Sequence, residues 1–274
     1  MTMETLTSVQ TSSLRAAPRQ SRFGDTLVSE WIKLTSVRST YITLGLGIGL
    51  SILTTAVAML AIAPDQWPAD VDARLFWLVG NIFTLIVFSV FGVLTATREY
   101  SSGTIRLTLA ATPRRGRVFA AKLLLTAGIT LIAGFIAIAG MFAVAQVING
   151  AYGGPVGGIG DPGIARLILG MGLTMPFFPV IGLALGFLMR SAAGAITAVL
   201  GLIWLPVIFG EVVPTWWREN IVSVLPGTAV DSFTIGHLVD ENAYLDPAAG
   251  IAIACTWLIA FVGAAYIAFV RHDA

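Results

Sequence analysis

Along most of this chain apolar residues come in long blocks rather than in a period. Six blocks stand out, 41–63, 75–96, 118–148, 164–189, 192–210 and 248–270. Each is near or above the roughly 20 residues that cross a ~30 Å hydrocarbon core, which predicts six transmembrane helices. The third is longer than a crossing requires, so its first turns, carrying Lys122, should stand outside the lipid. Ahead of the first block the pattern changes to a helical period. Phe23, Leu27, Trp31 and Leu34 fall on one face, with Asp25, Ser29, Glu30, Lys33 and Ser36 elsewhere around the helix. This predicts an amphipathic helix lying in the membrane interface, with Trp31 and Lys33 as its interfacial residues. Residues 1–22 are rich in Ser, Thr, Arg and Gln and read as a disordered tail. They hold no short apolar segment before a small-residue cleavage site, so no removed signal peptide is expected.

Two polar interruptions break the pattern. The first, 98–122, carries Arg98, Arg106, Arg114, Arg115, Arg117 and Lys122 against one acid, Glu99. Its inner part predicts a short helix over 103–112, stopped by Pro113. Ile105, Leu109 and Thr112 would then share a face, an apolar knob on a basic stalk suited to docking. The same residues also fit a loop that only fixes topology and touches anionic headgroups. The second interruption, 211–246, is too long for a simple connector. Trp216 and Trp217 suit the outer interface, and 221–229 returns to apolar character without enough length to span. It predicts a helix–turn–helix re-entering the outer leaflet. Within the fourth block, Pro176 and Pro179 each remove a backbone donor, so a kink is expected there. Gly182 and Gly186, one turn apart, should let another helix approach closely.

Composition turns these blocks into a class. The 274 residues are 56% hydrophobic and only 11% charged, where soluble domains run at roughly a quarter charged. The chain is therefore expected to be an all-α integral membrane protein, with 23–270 a single transmembrane domain and 271–274 a short tail. Charge fixes its orientation. With both termini in the cytoplasm, thirteen of the 16 basic residues are cytoplasmic, and only Arg74, Arg166 and Arg218 lie outside. Most acids, among them Asp65, Asp70, Asp72, Asp161, Glu211, Asp231, Asp240 and Glu241, fall on the external side. A net charge of +1 gives no reason to expect a nucleic-acid partner.

Several chemistries are excluded. The two lysines, Lys33 and Lys122, are not preceded by glycine, so there is no phosphate-binding loop and no ATP hydrolysis by that route. His237 and His272 form no metal-ligand pair, and the single Cys255 excludes an intrachain disulfide. No ionisable residue sits in the middle of a block, which disfavours an ion-coupled secondary carrier and a membrane-embedded enzyme. The mid-span polar groups Asn81, Thr84, Ser89, Thr174 and Thr197 read as helix–helix contacts. A pathway of this kind suits an apolar or amphipathic cargo.

Four local patterns, in order, resemble the ABC-2 type permeases, the membrane subunits of bacterial ABC exporters. They are Ser29-Glu30-Trp31-Ile32-Lys33-Leu34 with Arg38-Ser39-Thr40-Tyr41, and Glu99-x-x-x-Gly103-Thr104 with Pro113-Arg114-Arg115 and Lys122. The turn 190–195 and Leu225-Pro226 complete the set. The resemblance covers most of the chain from Ser29 onward. It implies a cytoplasmic coupling helix between spans two and three and an external re-entrant helical hairpin between spans five and six. It also implies a separate ABC ATPase subunit that binds ATP and Mg, so that this chain holds no cofactor. A second permease, identical or a paralogue, would complete the complex in the bacterial cytoplasmic membrane. By the same resemblance Glu99, Gly103, Thr104, Ile105 and Leu109 carry ATPase coupling, Glu99 capping the coupling helix or pairing with an ATPase cation. Arg114, Arg115 and Arg117 would hold the loop at the membrane surface. A non-transporting membrane partner of an ATPase would display the same docking surface.

Overall fold

The computed structural model describes residues 22–61, 73–111, 114–152, 157–161, 163–210, 213–235 and 245–271. The tail 1–21, Thr112, Pro113, His237, His272 and the acids Asp65, Asp70, Asp72, Glu211, Asp240 and Glu241 lie outside the described residues. Among the described residues every regular element is a helix. In order they are α1 (Phe23–Thr35), α2 (Arg38–Ala61), α3 (Asn81–Ser101), α4 (Ile105–Ala111) and α5 (Arg115–Tyr152). There follow α6 (Ile164–Thr174), α7 (Phe177–Met189), α8 (Ala192–Gly210), α9 (Thr215–Asn220), α10 (Pro226–Thr234) and α11 (Pro247–Arg271). Short 3-10 segments over Ala73–Leu78 and Val222–Val224 precede α3 and α10.

Five stretches are long and apolar enough to cross a membrane: Arg38–Ala61, Leu75–Ser101, Arg115–Tyr152, Ile164–Met189 and Pro247–Arg271. They coincide with five of the six apolar blocks. The remaining block forms α8, whose apolar stretch Ala192–Leu205 is shorter. α5, with 38 residues, extends about 57 Å at 1.5 Å per residue and overshoots a crossing, as its sequence requires.

The core is built around α7, which is buried on nearly every side from Phe177 to Phe187. Small residues make this possible. A Cβ on Gly182 would stand 2.6 Å from the Ser89 carbonyl oxygen, and one on Gly186 would stand 2.8 Å from Ala96 Cβ. The expected close approach is therefore that of α3 to α7. α2 buries a stripe of small and polar residues, Thr40, Gly47, Ser51 and Thr55, that ends at the apolar Met59. Ser51 and Thr84 share a hydrogen bond between α2 and α3, and Thr55 Oγ1 donates to the Trp77 carbonyl at 2.9 Å. Ser89 and Thr174 instead satisfy carbonyls of their own helices.

The fourth block is not one helix. It breaks between α6 and α7 at Met175-Pro176, where the Met175 N–H turns back to the Gly172 carbonyl at 3.3 Å. Pro176 has no N–H with which to continue the ladder. The helix–turn–helix between the fifth and sixth blocks is present as α9, the 3-10 turn and α10. Pro226 occupies the first position of α10, where its missing donor costs nothing. Trp257 Nε1 of α11 donates to the Val224 carbonyl at 2.8 Å, and Gly250 lets α11 lie against Ala229 of α10. The short turn after α7 holds Arg190 in the left-handed region (φ 53), its guanidinium 5.7 Å from the Tyr100 ring centroid.

Candidate functional site

Three helix ends meet at the basic end of the bundle. α3 runs past its apolar block to Ser101 and so carries Arg98 and Glu99 beyond it. α5 begins at Arg115, and Lys122 lies two turns inside it. α1 packs alongside α5 and turns Thr26, Glu30 and Leu34 inward. Four charges from these three helices close on one another. Lys33 Nζ lies 2.6 Å from Glu30 Oε1 and 3.0 Å from Glu99 Oε1. Lys122 Nζ lies 2.7 Å from Glu30 Oε2 and 3.0 Å from Glu99 Oε1. Each carboxylate thus touches both ammonium groups, and the ring is neutral.

Burial makes this arrangement necessary. Glu30 is 2% exposed, Lys122 4% and Glu99 8%, and an unpaired charge that deep would be very costly. Lys122 also reaches the Thr95 carbonyl at 3.4 Å. The Glu30–Lys122 contact is an ion pair by distance without hydrogen-bond alignment, and Glu99 Oε2 accepts no hydrogen bond. Lys33 stands at the rim, with its side chain 40% exposed. Burial works against its ammonium, but the carboxylates of Glu30 and Glu99 outweigh it and raise its pKa above 10.5.

The ring is wired to α4. Lys33 Nζ donates to Thr108 Oγ1 at 3.1 Å, and a cavity of about 340 Å³ lies between Glu30, Lys33, Glu99 and Lys122 on one side and Leu107 and Thr108 on the other. Gly103 begins the turn into α4 with φ +69, a conformation that favours glycine. Thr104 precedes the helix, and its carbonyl accepts the Thr108 N–H at 3.1 Å. Its hydroxyl pairs with Ser102 Oγ rather than capping a backbone N–H. Ile105 is 5% exposed and packs with Val118, Phe119 and Phe187, and Leu109 lies against the same cluster. A second link joins α3 to α2, where Arg98 Nη2 donates to Ser39 Oγ at 2.9 Å.

Several sequence expectations are corrected here. The short helix begins at Ile105 rather than at Gly103 and runs to Ala111, with the expected end at Thr112 outside the described residues. Ile105 and Leu109 do share a face, but it is turned into the bundle because apolar ends of α3, α5, α7 and α11 are there to cover it. The outward face consists of Arg106, Leu107 (72% exposed) and Ala110. Glu99 neither caps α4 nor faces outward; its carboxylate is committed to Lys33 and Lys122. On α1 the face packed into the bundle is that of Thr26, Glu30 and Leu34, which the sequence period did not single out. Trp31 is 48% exposed, beside Val28 and Ile32, and Glu30 takes the buried position. Arg114, Arg115 and Arg117 lie at the start of α5, each with a partner interaction.

Glu30 is the residue that sequence reasoning missed. Lys122 was the signal, because a lysine inside an apolar helix demands an acidic partner, and Glu99 alone leaves Lys33 to be neutralised as well. The site holds no nucleophile–base pair, and among the described residues no cluster of His, Cys, Asp or Glu fits a metal. What the arrangement can do is mechanical: displacing α4 pulls at once on the roots of α1, α3 and α5.

A family model described as ABC-2 family transporter protein matches residues 51–274. The match contains Glu99, α4 and Lys122 and begins beyond Glu30 and Lys33. No curated protein matches the chain.

Proposed function

The chain belongs to the ABC-2 family of transporter proteins, and on that premise we propose that it converts ATP hydrolysis on a separate ABC ATPase into export of an apolar or amphipathic substrate. It is a multi-pass membrane protein and a non-catalytic transmembrane component of its transporter. In the proposed arrangement α8 crosses as the fifth of six spans, both termini face the cytoplasm of a bacterial cell, and a second permease subunit completes the pathway. The ATPase, which holds ATP and Mg, docks on α4.

The observation that carries this reading is the coupling of an exposed surface to a buried junction. α4 offers Arg106, Leu107 and Ala110 outward, while Ile105 and the Lys33–Thr108 bond tie it to the charge ring at the helix roots. Force applied to α4 therefore passes to three helices as a rigid group, as rocking of one membrane half against another needs. Glu99, Gly103, Thr104, Ile105 and Leu109 serve coupling as the frame of α4, and the contact itself is made by Arg106 and Leu107. Trp31 and Lys33 anchor α1 at the interface, and Arg114, Arg115 and Arg117 hold the loop near anionic headgroups.

The test is capture of the ATPase by the tagged, membrane-inserted chain. Leu107→Asp combined with Arg106→Glu should reduce co-purified ATPase and substrate-stimulated hydrolysis at least tenfold, with insertion unchanged. Normal capture and stimulation by that variant would overturn the docking assignment.

A further inference from the structure

At the other end of the bundle a cavity of about 420 Å³ opens between the start of α3, the α6–α7 break, α8 and α10. That volume is within the range of ligand sites. Its walls are mainly apolar, with Leu85, Met175 and Phe178 among them. Two groups depart from this. Asn81 is 7% exposed, lines the cavity, and its side-chain oxygen accepts no hydrogen bond. Asp231 of α10 lines the same cavity and makes no ion pair among the described residues. The sequence places Asp231 among solvated external acids; the fold of α10 against α6, α8 and α11 carries it inward.

The chemistry of the lining selects the ligand. Among the described residues no lysine or arginine side chain lines the cavity, and an anion there meets a carboxylate and apolar walls. A hard metal cation needs about six oxygen ligands, and among the described residues the side chains lining the cavity offer three oxygen-bearing groups, Asn81, Thr174 and Asp231. What is missing is a positively charged N–H donor attached to an apolar body. A partly buried carboxylate and a buried amide oxygen both gain from charge-assisted hydrogen bonds of that kind.

We propose that this cavity binds a primary ammonium group carried on an apolar chain, whose N–H groups donate to Asp231 and Asn81. Desolvation lifts the Asp231 carboxyl to about 7, and a cation bound beside it would favour the ionised form, which meets no ion-pair partner among the described residues. The ammonium belongs either to an aminophospholipid headgroup or to a free long-chain amine. The proposal is independent of ATPase docking, because the site is complete within this chain.

The experiment uses the purified full chain in phosphatidylcholine nanodiscs, which contain no N–H headgroup, with empty nanodiscs subtracted. Radiolabelled dodecylammonium should bind saturably, one per chain. Asp231→Asn should weaken it at least tenfold and Asn81→Leu severalfold, while Asp231→Glu keeps most of the affinity. Binding of dodecanol should be the same in all four proteins, which shows that the cavity is intact. Competition by phosphatidylethanolamine assigns the natural ligand to lipid, and its absence assigns it to a free amine. Absent saturable dodecylammonium binding, or equal affinity in Asp231→Asn and the unaltered chain, would overturn the proposal without touching the docking of the ATPase.

Discussion

Glu30 and Lys122 show how one pair of charges settles the packing of a terminal helix. Each is almost fully buried and each meets two opposite charges, so the ring is stable only when complete. Removing one partner strands the rest, at a cost of about 3–5 kcal/mol. Lys122→Met should therefore lower the unfolding free energy in detergent by about that amount, and adding Glu30→Leu should recover part of the loss. Additive losses in the double variant would mean that the ring is not a coupled unit. Asp231 makes folded stability depend on pH. Its carboxyl is raised from 3.8 to about 7, so between those values the folded chain keeps a proton that the unfolded chain releases. Folded stability then falls as pH rises through that window and levels off above it. The thermal midpoint should drop from about pH 5 to about pH 8, and Asp231→Asn should flatten that drop. An unchanged slope in the variant would assign the titration to another group.

Among the elements, α4 is the one whose sequence and structure have to be read together. It has seven residues, too few to be stable alone, and is held by Ile105 against Val118 and Phe119 and by Thr108 against Lys33. Its direction is set by Gly103, where φ is +69 and no atom lies within 4 Å of a built Cβ. The constraint there is conformational rather than spatial. A β-branched residue in that region costs about 1–2 kcal/mol and would swing α4 off its seat. Gly103→Val should leave insertion and helix content unchanged while reducing substrate-stimulated ATP hydrolysis severalfold. Stimulation equal to that of the unaltered chain would show that the angle of α4 is immaterial. The existence of α4 was legible in the sequence, from Gly103 and from the short apolar run between arginines. Its facing was not, because Ile105 and Leu109 make an equally good knob or anchor until the neighbours are known.

For the whole molecule the open quantity is the path of α8 through the bilayer. If it crosses, α4 and α9 lie on opposite sides; if it does not, they share one. The lone Cys255 is exposed, so the test starts from Cys255→Ser. Leu107→Cys and Trp216→Cys are then added singly to that background. A membrane-impermeant maleimide should label the Trp216 variant in intact cells and the Leu107 variant only after permeabilisation. Labelling of both from one side would reduce the spans to five. Large parts of α2 and α11 face outward with apolar side chains such as Leu53, Leu60 and Ile259, as helices bordering lipid or a second subunit must.

Which segments are long and apolar enough to cross a membrane could be read from the sequence, since that property depends on local composition: block length and the position of proline. Five stretches long and apolar enough to cross, the break at Pro176, the helical segment after Gly103 and the helix–turn–helix before α11 all follow from residues close to one another in the chain. Which face of each helix turns inward is set by packing against distant segments. In a helix that is apolar all round, lipid and protein are nearly equivalent surroundings, so hydrophobicity does not say which side is which. The partners that break the tie come from distant positions, Glu99 lying 66 residues from Lys33 and Ser51 33 residues from Thr84. For that reason the burial of Glu30, the inward turn of Ile105 and the placing of Asp231 and Asn81 on one cavity emerge only from the packed helices.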